Sequence, residues 1–169
     1  MLLNAKNSTK YKQKPSLHLI VQGRLFCYYR IGKRFKKRVL PMWKYINKNP
    51  RGRSVGDCTV RAIATATGNG WEETYLDLCL FGLIMADMPS SNAISTAYLK
   101  SKGFRRRTIP DECPDCYSVK NFCDDYKDGV YVLGTGTHMV AVIDGNYYDA
   151  WDSGDEFPVY YFAKEKEPD

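Results

Sequence analysis

Residues 137–152 read THMVAVIDGNYYDAWD, and this stretch predicts a β-hairpin. Its two arms are rich in Val, Ile and aromatic residues, which favour strands. Between the arms lies Asp144-Gly145-Asn146, a run of residues that favour a tight turn. With a three-residue loop, a common hairpin length, Ile143 faces Tyr147. This register determines which side chains share a face of the hairpin.

The predicted register places His138 opposite Asp152. Directly opposed residues share a face with about 5 Å between their Cβ atoms, so the carboxylate can orient the imidazole. In the same register Asp149 pairs with Ala141 and points to the other face. Asp152 is therefore the predicted partner of His138.

The segments around this hairpin predict the remaining secondary structure. Further strands are predicted at 105–109, 130–133 and 159–162. Helices are predicted between Asp57 and Gly68 and at 71–86, 93–102 and 118–126, from apolar residues at helical spacing and from capping residues. Because helices come first and most strands second, the order favours an α+β domain with the helices packed on one face of an antiparallel sheet.

The net charge of +6 is distributed unevenly along the chain. Residues 1–41 contain eleven Lys or Arg and no acidic residue, whereas residues 42–169 contain the other 14 basic residues and all 19 acidic ones, a charge of −5. Pro41 separates the two compositions. We therefore predict a basic N-terminal extension over 1–41 and a single folded domain over 42–169.

Two interpretations of the extension stay open. Clustered Lys and Arg gain affinity for nucleic acid by displacing counterions from phosphates, so residues 1–41 could act as a basic binding hairpin. Strands are predicted there at 17–22 and 25–31, with a further candidate at 35–40. The alternative is a dispensable extension that contributes nothing to the domain.

No segment predicts association with a membrane. The longest apolar stretch near the start, Leu17 to Tyr29, is interrupted by Gln, Gly and Arg at 22–24, so it lacks the ~20 apolar residues that a spanning helix needs. The first residues also lack the apolar core and cleavage site of a secretory signal. We therefore expect a cytoplasmic protein in a reducing compartment.

Most of the six cysteines predict no defined chemistry. Cys113 and Cys116 have the two-residue gap of a zinc-binding or redox pair, and Cys123 is a third candidate zinc ligand. A fourth ligand at a matching spacing is missing, so no metal site is predicted. Cys27 and Cys79 are expected to pack as small apolar side chains.

Cys58 differs because it lies at the predicted start of a helix, directly after Asp57, whose side chain suits an N-cap. Backbone N–H groups and the positive end of the helix dipole stabilise a thiolate there and lower the pKa of the thiol. His138 is the only histidine of residues 42–169 and is therefore the candidate base. The structural alternative is an unreactive cysteine at an ordinary helix start.

At these residues the sequence resembles the papain-like cysteine peptidases, especially the compact bacterial branch that includes the bacteriocin-leader peptidases. Gly56-Asp57-Cys58 is similar to the start of the nucleophile helix in that branch. His138-Met-Val-Ala-Val with Asp152 is similar to its His-led strand and hairpin Asp. The resemblance implies a papain-like core over residues 50–162, with Cys58, His138 and Asp152 as a catalytic triad.

The region from Met42 also resembles small proteins of phages and prophages of Gram-positive bacteria. It shares with them the phrases Gly-Asp-Cys and Trp-Asp-Ser-Gly-Asp, which here are residues 56–58 and 151–155. The resemblance implies a phage-encoded protein that acts in the cytosol of the bacterial host.

One departure from the peptidase pattern concerns the oxyanion donor. The family carries a Gln five or six residues before the Cys, where this chain has Arg53 and Gly52. Asn49, Arg53 and Ser54 are the candidate substitutes, together with the backbone N–H of Cys58. Loss of one such donor typically costs about 100- to 1000-fold in rate, so a slow hydrolase is one expectation.

The leading hypothesis is a cysteine-dependent amide or peptide hydrolase that needs no metal or organic cofactor. In this hypothesis Cys58 attacks the carbonyl carbon, His138 transfers the proton and Asp152 holds the imidazole. The expected substrate is a protein or peptide. Two alternatives stay open: a non-catalytic binding protein whose basic extension contacts nucleic acid or an acidic partner, and a transglutaminase-like acyl transferase.

Overall fold

The computed structural model describes residues 19–21, 24–26, 42–109 and 117–165. Contacts divide the chain into two compact units, Met1–Arg38 and Val39–Asp169. In the first unit β1 (Leu19–Val21) pairs with β2 (Arg24–Phe26) in an antiparallel hairpin. β1 lies within the strand predicted at 17–22, whereas β2 begins one residue before the strand predicted at 25–31. The further strand predicted at 35–40 lies outside the described residues, as does Pro41.

The second unit contains four helices and six strands in its described residues. The helices are α1 (Cys58–Thr67), α2 (Trp71–Met85), α3 (Asn92–Ser101) and α4 (Val119–Asp125). The strands are β3 (Trp43–Tyr45), β4 (Phe104–Thr108), β5 (Val130–Gly134), β6 (Met139–Ile143), β7 (Asn146–Asp149) and β8 (Tyr160–Lys164). The predicted α+β class is confirmed.

The six strands form one sheet in the order β3-β7-β6-β5-β8-β4. All neighbouring pairs are antiparallel except β3 and β7, which run parallel. The expectation of an antiparallel sheet is therefore wrong at this edge. The sequence did not predict β3, because three residues are too few to show the alternation of a strand.

Helices cover both faces of the sheet. Ile63 of α1, Leu78 of α2 and Ile94 of α3 pack in one cluster with the sheet, whereas Phe122 of α4 packs in a second cluster. The strands divide between the clusters residue by residue, as in Val132 and Leu133 of β5, because successive strand residues point to opposite faces. Packing on one face is thus correct for α1 to α3 and wrong for α4.

The hairpin between β6 and β7 has a two-residue turn. Ile143 pairs with Asn146, so only Asp144 and Gly145 lie between the strands. Both turn residues have positive φ, 48° and 71°, as a tight hairpin turn that matches the twist of its strands requires. The predicted three-residue loop is therefore wrong, and every pairing along β7 is shifted by one residue. Ala141, for example, pairs with Tyr148 and not with Asp149.

No helix in the described part of the chain combines the length and the apolar character needed to cross a membrane. The longest described helix, α2, has 15 residues.

Candidate active site

The start of α1 presents Cys58 as the first helical residue, as the sequence predicts. The loop before it is held by two side chains. Asn49 Oδ1 accepts hydrogen bonds from the backbone N–H groups of Arg51 and Arg53, at 3.0 and 3.4 Å. Asn47 Nδ2 donates to the carbonyl oxygen of Arg53 at 3.3 Å. Cys58 is half-buried where this loop meets the helix.

His138 lies directly before β6 and contacts both Cys58 and an acid. Its backbone carbonyl accepts a hydrogen bond from the N–H of Thr135 at 2.9 Å, which fixes the entry to the strand. Its ring is close enough to the Cys58 side chain for the two groups to shift each other's pKa. The structure thus brings together the two residues that the sequence singled out as nucleophile and base.

The acid that contacts His138 is Asp149, the last residue of β7. His138 Nε2 lies 2.5 Å from Asp149 Oδ2, and both side chains are largely buried. Because Nε2 is engaged by the carboxylate, Nδ1 is the ring nitrogen left for the Cys58 thiol. The backbone N–H of Ala150 donates to Asp149 Oδ1 at 2.7 Å and helps to hold the carboxylate in place.

Asp152, the predicted partner of His138, lies elsewhere in the structure. Its Oδ1 accepts from the Tyr147 hydroxyl at 2.6 Å and from the Gly154 N–H at 3.1 Å. The prediction of Asp152 as the orienting acid is therefore corrected to Asp149. The reason is the turn, since a loop shorter by one residue changes which side chains face His138.

The electrostatics of these residues favour a thiolate–imidazolium pair. The hydrogen bond with His138 lowers the pKa of the Cys58 thiol and outweighs the opposing effect of burial. Burial disfavours the charged form of His138, but hydrogen bonds to Asp149 and Cys58 outweigh burial and raise the pKa of His138 to about 9. Burial also acts to raise the pKa of Asp149, yet the hydrogen bond with His138 leaves that pKa lowered.

Two buried charged residues behind the triad were not predicted as part of the site. Arg61 lies between Asp57 and Asp149 and forms an ion pair with each. Asp57 occupies the N-cap position of α1 but makes no capping hydrogen bond, contrary to expectation. Its carboxylate accepts from Arg61 Nη1 and from Trp71 Nε1. The available signal was the spacing of Asp57 and Arg61, which places both on one face of a helix.

Exposed tryptophans lie next to His138 and Asp149. The Trp151 ring is 5.2 Å from the His138 ring, centroid to centroid, and 45% of the residue is exposed. Trp43 of β3 donates from Nε1 to the Asp149 carbonyl oxygen at 3.2 Å. These rings form an apolar surface beside the His138–Asp149 pair.

Of the predicted oxyanion candidates, Asn49 and Arg53 take part in hydrogen bonds within their own loop. Asn49 supports the loop backbone through its side-chain oxygen, and Arg53 and Ser54 are exposed. Their role toward an oxyanion, and that of the Cys58 N–H, stays a prediction.

Cys123 differs from Cys58 in its environment. Burial raises the pKa of Cys123 to about 12, so this thiol stays protonated at neutral pH. Cys27, Cys113 and Cys116 lie outside the described residues. Among the residues that the structure describes, no group of three or more His, Cys, Asp or Glu side chains is arranged to hold a metal ion.

The arrangement joins a nucleophile, a base and an orienting acid in the chain order Cys58, His138, Asp149. A thiolate in contact with an imidazolium can attack a carbonyl carbon, and the imidazolium can then protonate the leaving group. No family model matches this chain, and comparisons with curated proteins and with solved structures return no match.

Proposed function

We propose that the protein is a cysteine-dependent amide or peptide hydrolase with Cys58, His138 and Asp149 as its triad. The observation that carries the proposal is the position of His138, whose ring is bonded to the Asp149 carboxylate and interacts with Cys58 so that the pKa of the thiol is lowered. Two adjacent charges and a nucleophile in one half-buried cluster are expensive to maintain and are typical of an active site.

The proposed reaction follows from the protonation states of the pair. The Cys58 thiolate attacks the carbonyl carbon, and the carbonyl oxygen becomes an oxyanion. The imidazolium of His138 gives its proton to the leaving amine as the C–N bond breaks, which leaves a thioester on Cys58. Neutral His138 then takes a proton from water, and the hydroxide attacks the thioester carbon. The C–S bond breaks, the carboxylic acid leaves, and the Cys58 thiolate and the His138 imidazolium are restored. Asp149 holds the ring so that one nitrogen faces the sulfur throughout.

We also propose that the second unit has a papain-like core. Support comes from the chain order, in which the nucleophile begins a helix, the His precedes a strand and the acid ends the next strand. A cytoplasmic location fits this chemistry, because reducing compartments keep a reactive thiolate from being oxidised. A peptide substrate with an apolar side chain fits the exposed surface of Trp43 and Trp151.

Hydrolysis by purified full-length protein tests the proposal directly. A pool of tripeptide aminomethylcoumarin amides with varied side chains is incubated with the wild-type chain, Cys58→Ala and His138→Ala at pH 7.5. We expect release of the fluorescent amine by the wild type, none above background in Cys58→Ala, and a large loss in His138→Ala. Equal release by the wild type and Cys58→Ala would assign the activity to a contaminant and contradict the proposal.

The same assay separates hydrolysis from acyl transfer. Water and amines attack the same thioester on Cys58, so an added primary amine competes with water in either case. Mass spectrometry of the products then decides: free carboxylic acid supports the hydrolase, whereas quantitative amide formation at low amine concentration assigns an acyl transferase.

A further inference from the structure

We infer that Arg61 is a positioning residue of the proposed active site, which holds the Asp149 carboxylate against His138 and connects it to the helix that carries Cys58. The inference rests on the proposed function, because it assigns Arg61 a role in keeping the triad assembled. The described hydrogen bonds and ion pairs of Arg61 are with Asp57, Asp149 and Thr65, and not with the Cys58 sulfur or the His138 ring.

The two oxygens of Asp149 have separate partners. Oδ2 contacts His138 Nε2 at 2.5 Å, while Oδ1 accepts from Arg61 Nη2 at 3.0 Å and from the Ala150 N–H at 2.7 Å. A carboxylate that is bonded through both oxygens cannot rotate without losing contacts. Arg61 therefore fixes the plane of the acid that orients the imidazole.

Arg61 is in turn held by a second acid. Its Nη1 contacts Asp57 Oδ1, and Asp57 Oδ2 accepts from Trp71 Nε1 at 2.8 Å. Arg61, Asp57 and Asp149 are exposed by only 6%, 6% and 1%. A planar guanidinium with donors in a fixed fork can bridge two carboxylates in this way, whereas a lysine ammonium presents a single charged atom.

The network links two elements of the fold. Arg61 lies three residues after Cys58 on α1, which is about one helical turn, and Asp149 ends β7. The ion pair between Arg61 and Asp149 thus connects the nucleophile helix to the strand that carries the acid. The distance between nucleophile and acid is set by this contact, in addition to the packing of α1 on the sheet.

Charge alternates along the whole chain of contacts. It runs Asp57, Arg61, Asp149, His138, Cys58, with a cation between each pair of anions when the thiolate is formed. Without the guanidinium, two buried carboxylates would remain without their shared cation, and one of them would take up a proton or turn away. Asp149 would then no longer be a fixed, charged acceptor for His138, and the thiolate would lose its stabilised imidazolium.

The test compares Cys58 alkylation at two pH values in the full-length chain. An ordinary thiol with a pKa of about 8.5 reacts about 300-fold more slowly with iodoacetamide at pH 6 than at pH 9.5. Peptide mass spectrometry gives the rate at Cys58 alone. The ratio of the two rates reports the ionisation of the thiol, because a change in its accessibility multiplies both rates by the same factor and cancels.

In the wild type we expect the alkylation rates of Cys58 at pH 6 and pH 9.5 to differ by no more than about 10-fold. In Arg61→Met we expect the rate at pH 6, relative to the rate at pH 9.5, to be at least ~10-fold lower than in the wild type. Arg61→Lys keeps the charge but not the fork, so we expect a loss of about 3-fold. The matched control is Arg105→Met, which removes an exposed arginine paired with Glu165 and should leave the ratio unchanged.

Cys123 serves as an internal measure of folding, because this buried thiol reacts only when the protein opens. If Arg61→Met exposes Cys123, the comparison is made with Arg61→Lys, which retains the cation. A wild-type Cys58 that titrates as an ordinary thiol overturns the proposed function and the role of Arg61 with it. A wild-type ratio near unity, as expected, that is unchanged in both folded Arg61 variants overturns the role of Arg61 alone.

Discussion

At the residue scale, the pKa of His138 limits the pH range of the proposed reaction. This pKa is raised to about 9, so the imidazolium persists through neutral pH and is lost as the pH rises through 9. On the acid side, activity is lost when the Cys58 thiolate, whose pKa is lowered, takes up its proton. We expect a bell-shaped pH profile of kcat/KM with its alkaline limb near pH 9. A rate that still rises between pH 9 and pH 10 would contradict the imidazolium as proton donor.

A second prediction at this scale distinguishes the two acids of the hairpin. Asp149→Asn keeps the shape of the side chain but removes the charge next to His138, so the pKa of His138 should fall. We expect labelling of Cys58 by a peptide vinyl sulfone at pH 7 to slow at least ~10-fold, since a change of one in a pKa changes an ionisation equilibrium tenfold. Asp152→Asn is the matched control and should label at the wild-type rate. Slower labelling of Asp152→Asn than of Asp149→Asn would instead support the hairpin register predicted from the sequence.

The sequence predicted that Cys58 and His138 lie together, but it placed Asp152 where the structure has Asp149, for a definable reason. Cys58 and His138 were identifiable because Cys58 follows a capping residue at a predicted helix start and His138 is the only histidine of residues 42–169. The choice between Asp149 and Asp152 depended on one residue of loop length, and the residues Asp-Gly-Asn allow more than one turn. The spacing of Asp57 and Arg61 allows an ion pair between them, but only the fold places Arg61 beside Asp149 as well.

At the element scale, the turn between β6 and β7 sets the position of Asp149. Gly145 has φ of 71°, and a Cβ added there would lie 3.2 Å from the Cys123 carbonyl oxygen and from the Lys127 side chain. We expect Gly145→Ala to lower the free energy of unfolding by ~1 kcal/mol or more, as measured by urea denaturation.

The control for this substitution is Gly56→Ala. Gly56 has no atom within 4 Å of an added Cβ, and its φ lies outside the left-handed region. Stability should change by only a few tenths of a kcal/mol in this variant. Equal effects of the two substitutions would mean that the turn conformation is not what Gly145 supplies.

The sequence predicted where helices begin and end better than it predicted which side of each helix is buried. The helix predicted at 71–86 agrees closely with α2, but its apolar residues surround the helix, so periodicity could not identify the buried side. In the structure Leu78 is buried, whereas Leu83 is 80% exposed. The position of α4 on the opposite face of the sheet likewise depends on tertiary packing and leaves no local signal.

At the scale of the whole molecule, the contact division near residue 38 predicts that the second unit is independent. We expect a fragment of residues 42–169 to unfold cooperatively and to keep the pH 6 reactivity of Cys58. Its charge is −5 compared with +6 for the full chain, so any binding of duplex DNA by the full chain should be absent from the fragment. Circular dichroism and iodoacetamide labelling measure the first two properties. Aggregation of the fragment would show that the domain requires residues before Met42.

A direct titration of the sulfur tests whether Cys58 is a thiolate paired with protonated His138. The thiolate absorbs in the ultraviolet where the thiol does not, and subtraction of the Cys58→Ser spectrum isolates the signal of this one residue. We predict a thiolate step well below pH 8.5, the usual range of a cysteine, and its displacement to higher pH in His138→Ala. A step at or above pH 8.5 in the wild type, unchanged in His138→Ala, would contradict the claim.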